Sequence, residues 1–206
     1  SQMTGKPVKV EYNRKESILS TRVRHASVNY VKTGFMKDGT LKAVDFKVYT
    51  NTGAYASSAL NVSGAMSHKV FKAYKIDHMR FQCQPVYTNT EIAGAMRGYG
   101  SPQVYFGWQR QMQKIADFLH MDMADLQMKN MVDPDSCDPI FHKPHGNSRP
   151  KDCLKRALEL IDYEACLKEQ EATRNQDIRI GVGLALGVHG NNCVGAHRDV
   201  STPMLK

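Results

Sequence analysis

The sequence has no apolar run approaching the length of a membrane-spanning helix, and no secretory leader pattern opens it. Its first residues lead straight into a strand-like pattern, which reads as the start of a fragment of a longer protein. Cysteine is sparse. The five occur at 83, 137, 153, 166 and 193, an odd number without a CxxC pair. That spacing argues against a disulfide framework and against an iron–sulfur or zinc-ribbon site within this piece, and it favours a reducing, cytoplasmic compartment. There is no internal repeat, no P-loop, no Ser-His-Asp order and no paired-carboxylate pattern. Acidic side chains are in deficit, 20 against 28 Lys and Arg, for a net charge of +8. The cations are scattered, without a dense run or an arginine–aromatic repeat, so a solvated basic surface accounts for them. A non-catalytic basic α+β module that binds nucleic acid is the alternative that the charge alone allows.

What is present is an ordinary globular composition, 41% hydrophobic and 23% charged, long enough for one large or two small domains. Residues 7–12, 26–33 and 41–49 alternate like strands, and the last two flank an Asp38-Gly39 hairpin signal. Residues 60–73 have weak helical character. Residues 76–90 read as another strand, with Pro85 favouring an edge. After Gly100 the pattern turns helical: Ser101 is a candidate cap, Pro102 suits the first turn, and Val104, Trp108, Met112, Ile115 and Leu119 recur at helical spacing. A second helix starts near Asp122. Four prolines mark 133–150 as a linker, 151–173 is amphipathic with a break near Asp162, and 178–190 returns to strand character. The order predicts an α+β fold. Residues 1–132 form a strand-rich part with its loop and following helices, and 151–206 form a helical segment and then a strand.

Two motifs dissolve on inspection. "GVGLALG" (181–187) places its third glycine one position late for a dinucleotide loop, and no helix follows. The Cys and His residues of 137–153 match no standard zinc spacing. The decapeptide "GAMRGYGSPQ" (94–103) stands out. Its glycines permit positive φ and close backbone approach. Amide groups ahead of a helix N-terminus favour anionic or oxo groups, and Arg97 adds a planar donor fork. Tyr99 offers a ring for stacking and a polar tip. A plain structural turn fits the same pattern.

The decapeptide resembles the arginine-glycine-aromatic-glycine loop of the molybdenum hydroxylases, the xanthine dehydrogenase and aldehyde oxidase family. "TGKPVKVEYNRKE" (4–16), "KTGFMKDGTLKAVDFKVYTNTGAYA" (32–56) and "MKNMV" (128–132) are similar to further segments of that family, in the same order. The resemblance implies an internal fragment of the molybdopterin-binding large subunit. It implies Ala95, Arg97 and Gly98 as cofactor-binding residues, with Tyr99 in the place of the usual phenylalanine that packs on a substrate ring. It implies a cofactor of molybdenum and molybdopterin, with 2Fe-2S clusters and FAD on other domains or subunits as electron-accepting partners. The implied reaction hydroxylates a carbon of a small-molecule substrate, a purine, another N-heterocycle or an aldehyde, with water as the oxygen source.

The family's catalytic glutamate lies far downstream, so no carboxylate of this chain takes that role, and no residue here is assigned as a metal ligand. The place of the arginine that purine-oxidising animal members use falls near Ala65, in a stretch without arginine. Lys69 and Lys72 are the neighbouring cations that could substitute; the resemblance implies a xanthine dehydrogenase-like enzyme, and the missing arginine argues against xanthine itself as its substrate.

Overall fold

The computed structural model describes residues 1–138 and 142–189. Its centre is a three-stranded mixed sheet in the order β1-β2-β3, formed by β1 (Ser27–Phe35), β2 (Leu41–Gly53) and β3 (His78–Tyr87). β1 and β2 form the expected antiparallel hairpin, from Ser27 opposite Thr50 to Phe35 opposite Leu41. At its turn the Asp38 carboxylate accepts the Thr40 amide at 3.0 Å. β2 then runs parallel to β3, from Ala43 opposite His78 to Gly53 opposite Tyr87. A parallel pair needs a crossover, and helix α2 (Ala59–Val70) provides it. β3 is an outer strand, which is why it tolerates Pro85.

The alternation along β2 is obeyed. Val44, Phe46 and Val48 are buried, while Asp45 and Lys47 take the other face. Asp45 stands opposite Arg80 of β3, which donates to it through Nε at 2.9 Å. Against the buried face pack α2, through Val62, Met66 and Val70, and α3 (Ser101–Leu119), through Val104, Trp108, Met112 and Ile115. Leu119, the last of the expected series, is partly buried against the same core.

Helix α4 (Met123–Asn130) begins where Asp122 accepts the Ala124 and Asp125 amides at 2.7 and 3.3 Å. Its last residue clamps the hairpin. Asn130 Oδ1 accepts the Leu41 amide at 2.9 Å, and Nδ2 donates to the Gly39 carbonyl at 3.0 Å. Helices α5 (Pro150–Leu160) and α6 (Tyr163–Ala172) follow, separated by Asp162 in the left-handed region at φ 48°. α5 buries only Leu154 and α6 buries nothing, so this pair lies on the surface beside α4.

Several expectations are corrected. Residues 7–12 are exposed and unpaired, so their alternation makes no strand. The segment after them is a short helix, α1 (Arg14–Ser20), which the strand pattern hid. Its capping box was readable: Glu16 N donates to Asn13 Oδ1 at 2.9 Å, and Asn13 N donates to Glu16 Oε2 at 2.8 Å. Ser101 does not cap α3. Gly100 occupies the cap position in a left-handed conformation, and the Ser101 hydroxyl donates instead to the Val188 carbonyl at 2.7 Å. Residues 178–180 are exposed, whereas 181–189 alternate in exposure and press Leu184, Leu186 and Val188 onto the core, yet none of them pairs with a strand among the described residues. Alternation reports one buried face; a strand also needs a backbone partner. The rest of the 178–190 expectation, and Cys193, lie outside the described residues.

Candidate functional site

The decapeptide crosses from the sheet edge to α3, and three contacts fix where it starts. The Val23 amide donates to the Ile92 carbonyl at 3.1 Å, the Ala93 amide to the Thr52 carbonyl at 2.9 Å, and the Gly94 amide to the Val23 carbonyl at 3.0 Å. The loop therefore leaves the end of β2 already tied to the segment before β1. His25, 2% exposed, lies next to this base. Burial lowers its pKa, outweighing the opposing effect of the Gly94 backbone, and so favours the neutral ring.

Three consecutive residues then take positive φ: Gly98 at 91°, Tyr99 at 43° and Gly100 at 94°. This answers why the stretch needs so many glycines. A left-handed run costs each side-chain-bearing residue about 1–2 kcal/mol, and two of the three are glycine. Space enforces the choice as well. A Cβ on Gly98 would lie 2.8 Å from the Pro102 ring, and one on Gly100 would lie 2.7 Å from Met66 Cγ. The turn closes through Tyr99 N to Met96 O at 2.8 Å and Ser101 N to Gly98 O at 3.0 Å.

The loop's carbonyls are gathered by two cations from either side. Arg24 Nη2 donates to the Arg97 carbonyl at 2.7 Å. Lys69, at the end of α2 and only 8% exposed, donates through Nζ to the Gly98 carbonyl at 3.0 Å and the Tyr99 carbonyl at 2.9 Å. The same nitrogen lies 5.5 Å from the Tyr99 ring centroid and 3.2 Å from His189 Nδ1. Tyr105 of α3 secures this end of α2 by donating to the Lys69 carbonyl at 2.8 Å. Lys69 is thus committed to the loop from beneath, which corrects the idea that it replaces a substrate-facing arginine. Lys72 is half-buried and Ala65 partly exposed on α2. The role of Lys69 was not foreseen. The available signal was its place three residues after Met66, on the apolar stripe of the helix, where a lysine requires acceptors.

With the carbonyls held inward, the outer surface is rich in donors. Ala95, Met96 and Arg97 are exposed, and Gly98 and Tyr99 are half-buried. Among the described residues, no acceptor takes the amides of Ala95, Arg97 or Gly98, and the Arg97 guanidinium makes no ion pair. Ala95, Arg97, Gly98 and Tyr99 are therefore brought together on one short arc. Its amides and guanidinium offer donors without a carboxylate, a set that fits an anionic, oxygen-bearing group.

Among the described residues, no group of three or more His, Cys, Asp or Glu side chains could hold a metal ion. The Cys and His of 137–153 form no such group, and part of that loop, 139–141, lies outside the described residues. No described helix is long and apolar enough to cross a membrane.

A family model described as "Molybdopterin cofactor-binding domain" matches residues 1–131. The chain is 34% identical over 194 residues to the putative xanthine dehydrogenase molybdenum-binding subunit of Escherichia coli (strain K12), covering 93% of this chain and 25% of that protein. It is 37% identical over 127 residues to the nicotinate dehydrogenase large molybdopterin subunit of Eubacterium barkeri, covering 62% of this chain and 30% of that one. The fold superposes on the aldehyde oxidoreductase from Desulfovibrio gigas with a TM-score of 0.70 at 28% identity, covering 78% of this chain and 17% of that one. The chain spans about a quarter of the length of the curated relatives it matches.

Proposed function

The chain belongs to the molybdopterin cofactor-binding domain family, and from that premise we propose that it forms one wall of the active site of a molybdenum hydroxylase. The observation that carries the reading is the polarity of the 94–100 loop. Its carbonyls at 97, 98 and 99 are held by Arg24 and Lys69. Among the described residues its amides at 95, 97 and 98 have no acceptor, and Arg97 is exposed.

In this reading Ala95, Arg97 and Gly98 bind the molybdenum end of the cofactor, Arg97 as a fixed charge and the backbone as amide donors. When bound, the cofactor supplies the redox chemistry for hydroxylating a carbon with oxygen from water. Tyr99 orients the substrate. Its ring, held on one side by Lys69, offers a flat face to a planar molecule, and its hydroxyl offers a polar tip that a phenylalanine would lack. The substrate class is a purine, another N-heterocycle or an aldehyde. The absence of arginine over 63–72 favours a substrate other than xanthine. The proton-accepting carboxylate, and the 2Fe-2S and FAD centres that receive the electrons, belong to other parts of the longer protein or to partner subunits.

The test is to produce the full-length subunit in a host able to make the cofactor and to measure molybdenum and pterin. The wild type is expected near one equivalent of each. Arg97→Ala is expected to fall at least about threefold with an unchanged melting temperature, since an exposed side chain contributes little to stability. A wild type free of metal and pterin sinks the reading.

A further inference from the structure

We propose that Lys69 is the positioning residue of Tyr99, setting the seat of its ring and through it the substrate that the site accepts. The inference rests on the reading of Tyr99 as substrate-facing, and it adds a residue from a different element of the fold. Three facts converge. Lys69 is almost fully buried, although lysine rarely is. Its Nζ bonds the carbonyls on both sides of the Tyr99 Cα, those of Gly98 and Tyr99, at 3.0 and 2.9 Å. That nitrogen also lies below the Tyr99 ring, 5.5 Å from its centroid.

Tyr99 is the only residue of the left-handed run that carries a side chain. Left to itself it relaxes toward negative φ and swings the ring. Two convergent hydrogen bonds from one nitrogen restrict that freedom, because the peptide carbonyls before and after the Tyr99 Cα must both keep facing the same donor. The anchor is itself rigid. Lys69 sits on α2 three residues after Met66, which is fully buried against Gly100, and its own carbonyl is bonded by Tyr105 of α3. The ring is thereby indexed to the α2–α3 core rather than to the exposed arc of the loop.

The experiment uses the full-length subunit, purified as holoenzyme, in three forms: wild type, Lys69→Met and Lys69→Arg. The first readout is amide hydrogen exchange at Tyr99 and Ser101, whose N–H groups close the turn, with Phe46 and Val48 of β2 as the folding control. In Lys69→Met the turn amides are expected to exchange about tenfold faster while β2 is unchanged, with Lys69→Arg restoring most of the protection. The second readout is the split between KM and kcat on the best heteroaromatic substrate. KM is expected to rise at least about fivefold with kcat within about threefold, and molybdenum content is expected to hold.

Unchanged exchange at Tyr99 and Ser101 overturns the proposal. So does faster exchange with unaltered KM, since Lys69 would then brace backbone alone. If Lys69→Met also loses β2 protection, Lys69→Gln, which is shorter and carries no charge, takes its place under the same criteria. Failure of the underlying reading looks different: Arg97→Ala and Tyr99→Ala then leave cofactor content and KM untouched, whatever the exchange at Lys69 variants.

Discussion

Gly100 rests directly on Met66: a Cβ built on the glycine would stand 2.7 Å from Met66 Cγ and 3.1 Å from the Val62 carbonyl oxygen. The contact joins the end of the loop to the middle of α2, at the point where α3 begins. It makes the glycine's position a property of the core as much as of the turn.

Gly100→Ala is therefore expected to destabilise the protein by about 2–4 kcal/mol, combining a left-handed penalty with overpacking. Gly64 makes the counterpart. It lies on α2 itself, and nothing comes within 4 Å of its missing Cβ. Gly64→Ala is expected to stabilise by about 0.5–1 kcal/mol. Urea unfolding of the two variants checks both signs, and equal effects would contradict the assignment of Gly100 to the core.

Tyr99 is expected to separate ring from hydroxyl. Tyr99→Ala should lower kcat/KM for a heteroaromatic substrate by about 10–100-fold, the loss of a stacking face. Tyr99→Phe keeps the face and should remain within about threefold. Steady-state kinetics on the full-length enzyme decide this. A Tyr99→Phe variant as impaired as Tyr99→Ala would mean that the hydroxyl, not the ring, contacts substrate.

Much of this arrangement was legible because local chemistry and tertiary need coincide. Asp38-Gly39 made the hairpin, β2 kept its alternation, and Pro102 and the Val104–Ile115 spacing marked α3. Asp122 capped α4, and Asp162 divided α5 from α6. The decapeptide was legible as a loop of unusual conformation, because three glycines have few other uses in so short a span. Failures arose where one residue's role depends on a distant one. The alternation at 7–12 and 178–189 found no strand partner among the described residues. Ser101 looked like a cap, but Gly100 holds that position, since only a left-handed residue could bring the loop in against Met66. The place of Lys69 on the apolar stripe of α2 signals that it needs acceptors but not which ones, since they lie 29 and 30 residues away. Its burial in the fold reveals its task.

The motif at 128–132 has a physical reason in Asn130, which is 2% exposed and ties α4 to the hairpin turn at Gly39 and to the first residue of β2, Leu41. Asn130→Ala would strand the buried Leu41 amide and Gly39 carbonyl, at a cost of about 2–4 kcal/mol. Asn61 is exposed on α2, and Asn61→Ala is expected to stay within about 0.5 kcal/mol of wild type. Denaturant midpoints measure both. An Asn130→Ala variant as stable as Asn61→Ala would show that water replaces both bonds.

Asp133 offers a test by pH. Its carboxylate is bridged by Lys151, at the start of α5, at 2.6 Å, and by Lys75, before β3. The hydrogen bond from Lys151, then that from Lys75, and their charges bring its pKa down from 3.8 to about 2. A depressed carboxylate pKa means that the folded state holds the proton less tightly than the unfolded chain. The stabilisation is fully present above about pH 4 and is lost as pH falls from about 4 to 2. Asp133→Asn should thus have a lower melting temperature than wild type at pH 5, with the gap closing as pH falls through about 2. Because all three side chains are partly exposed, the gap at pH 5 should also narrow in 0.5 M salt, about four-tenths of a nanometre of Debye screening. A gap independent of pH would mean that Asp133 acts through shape or neutral hydrogen bonding, and the bridge between α5 and the sheet would then carry no electrostatic stabilisation.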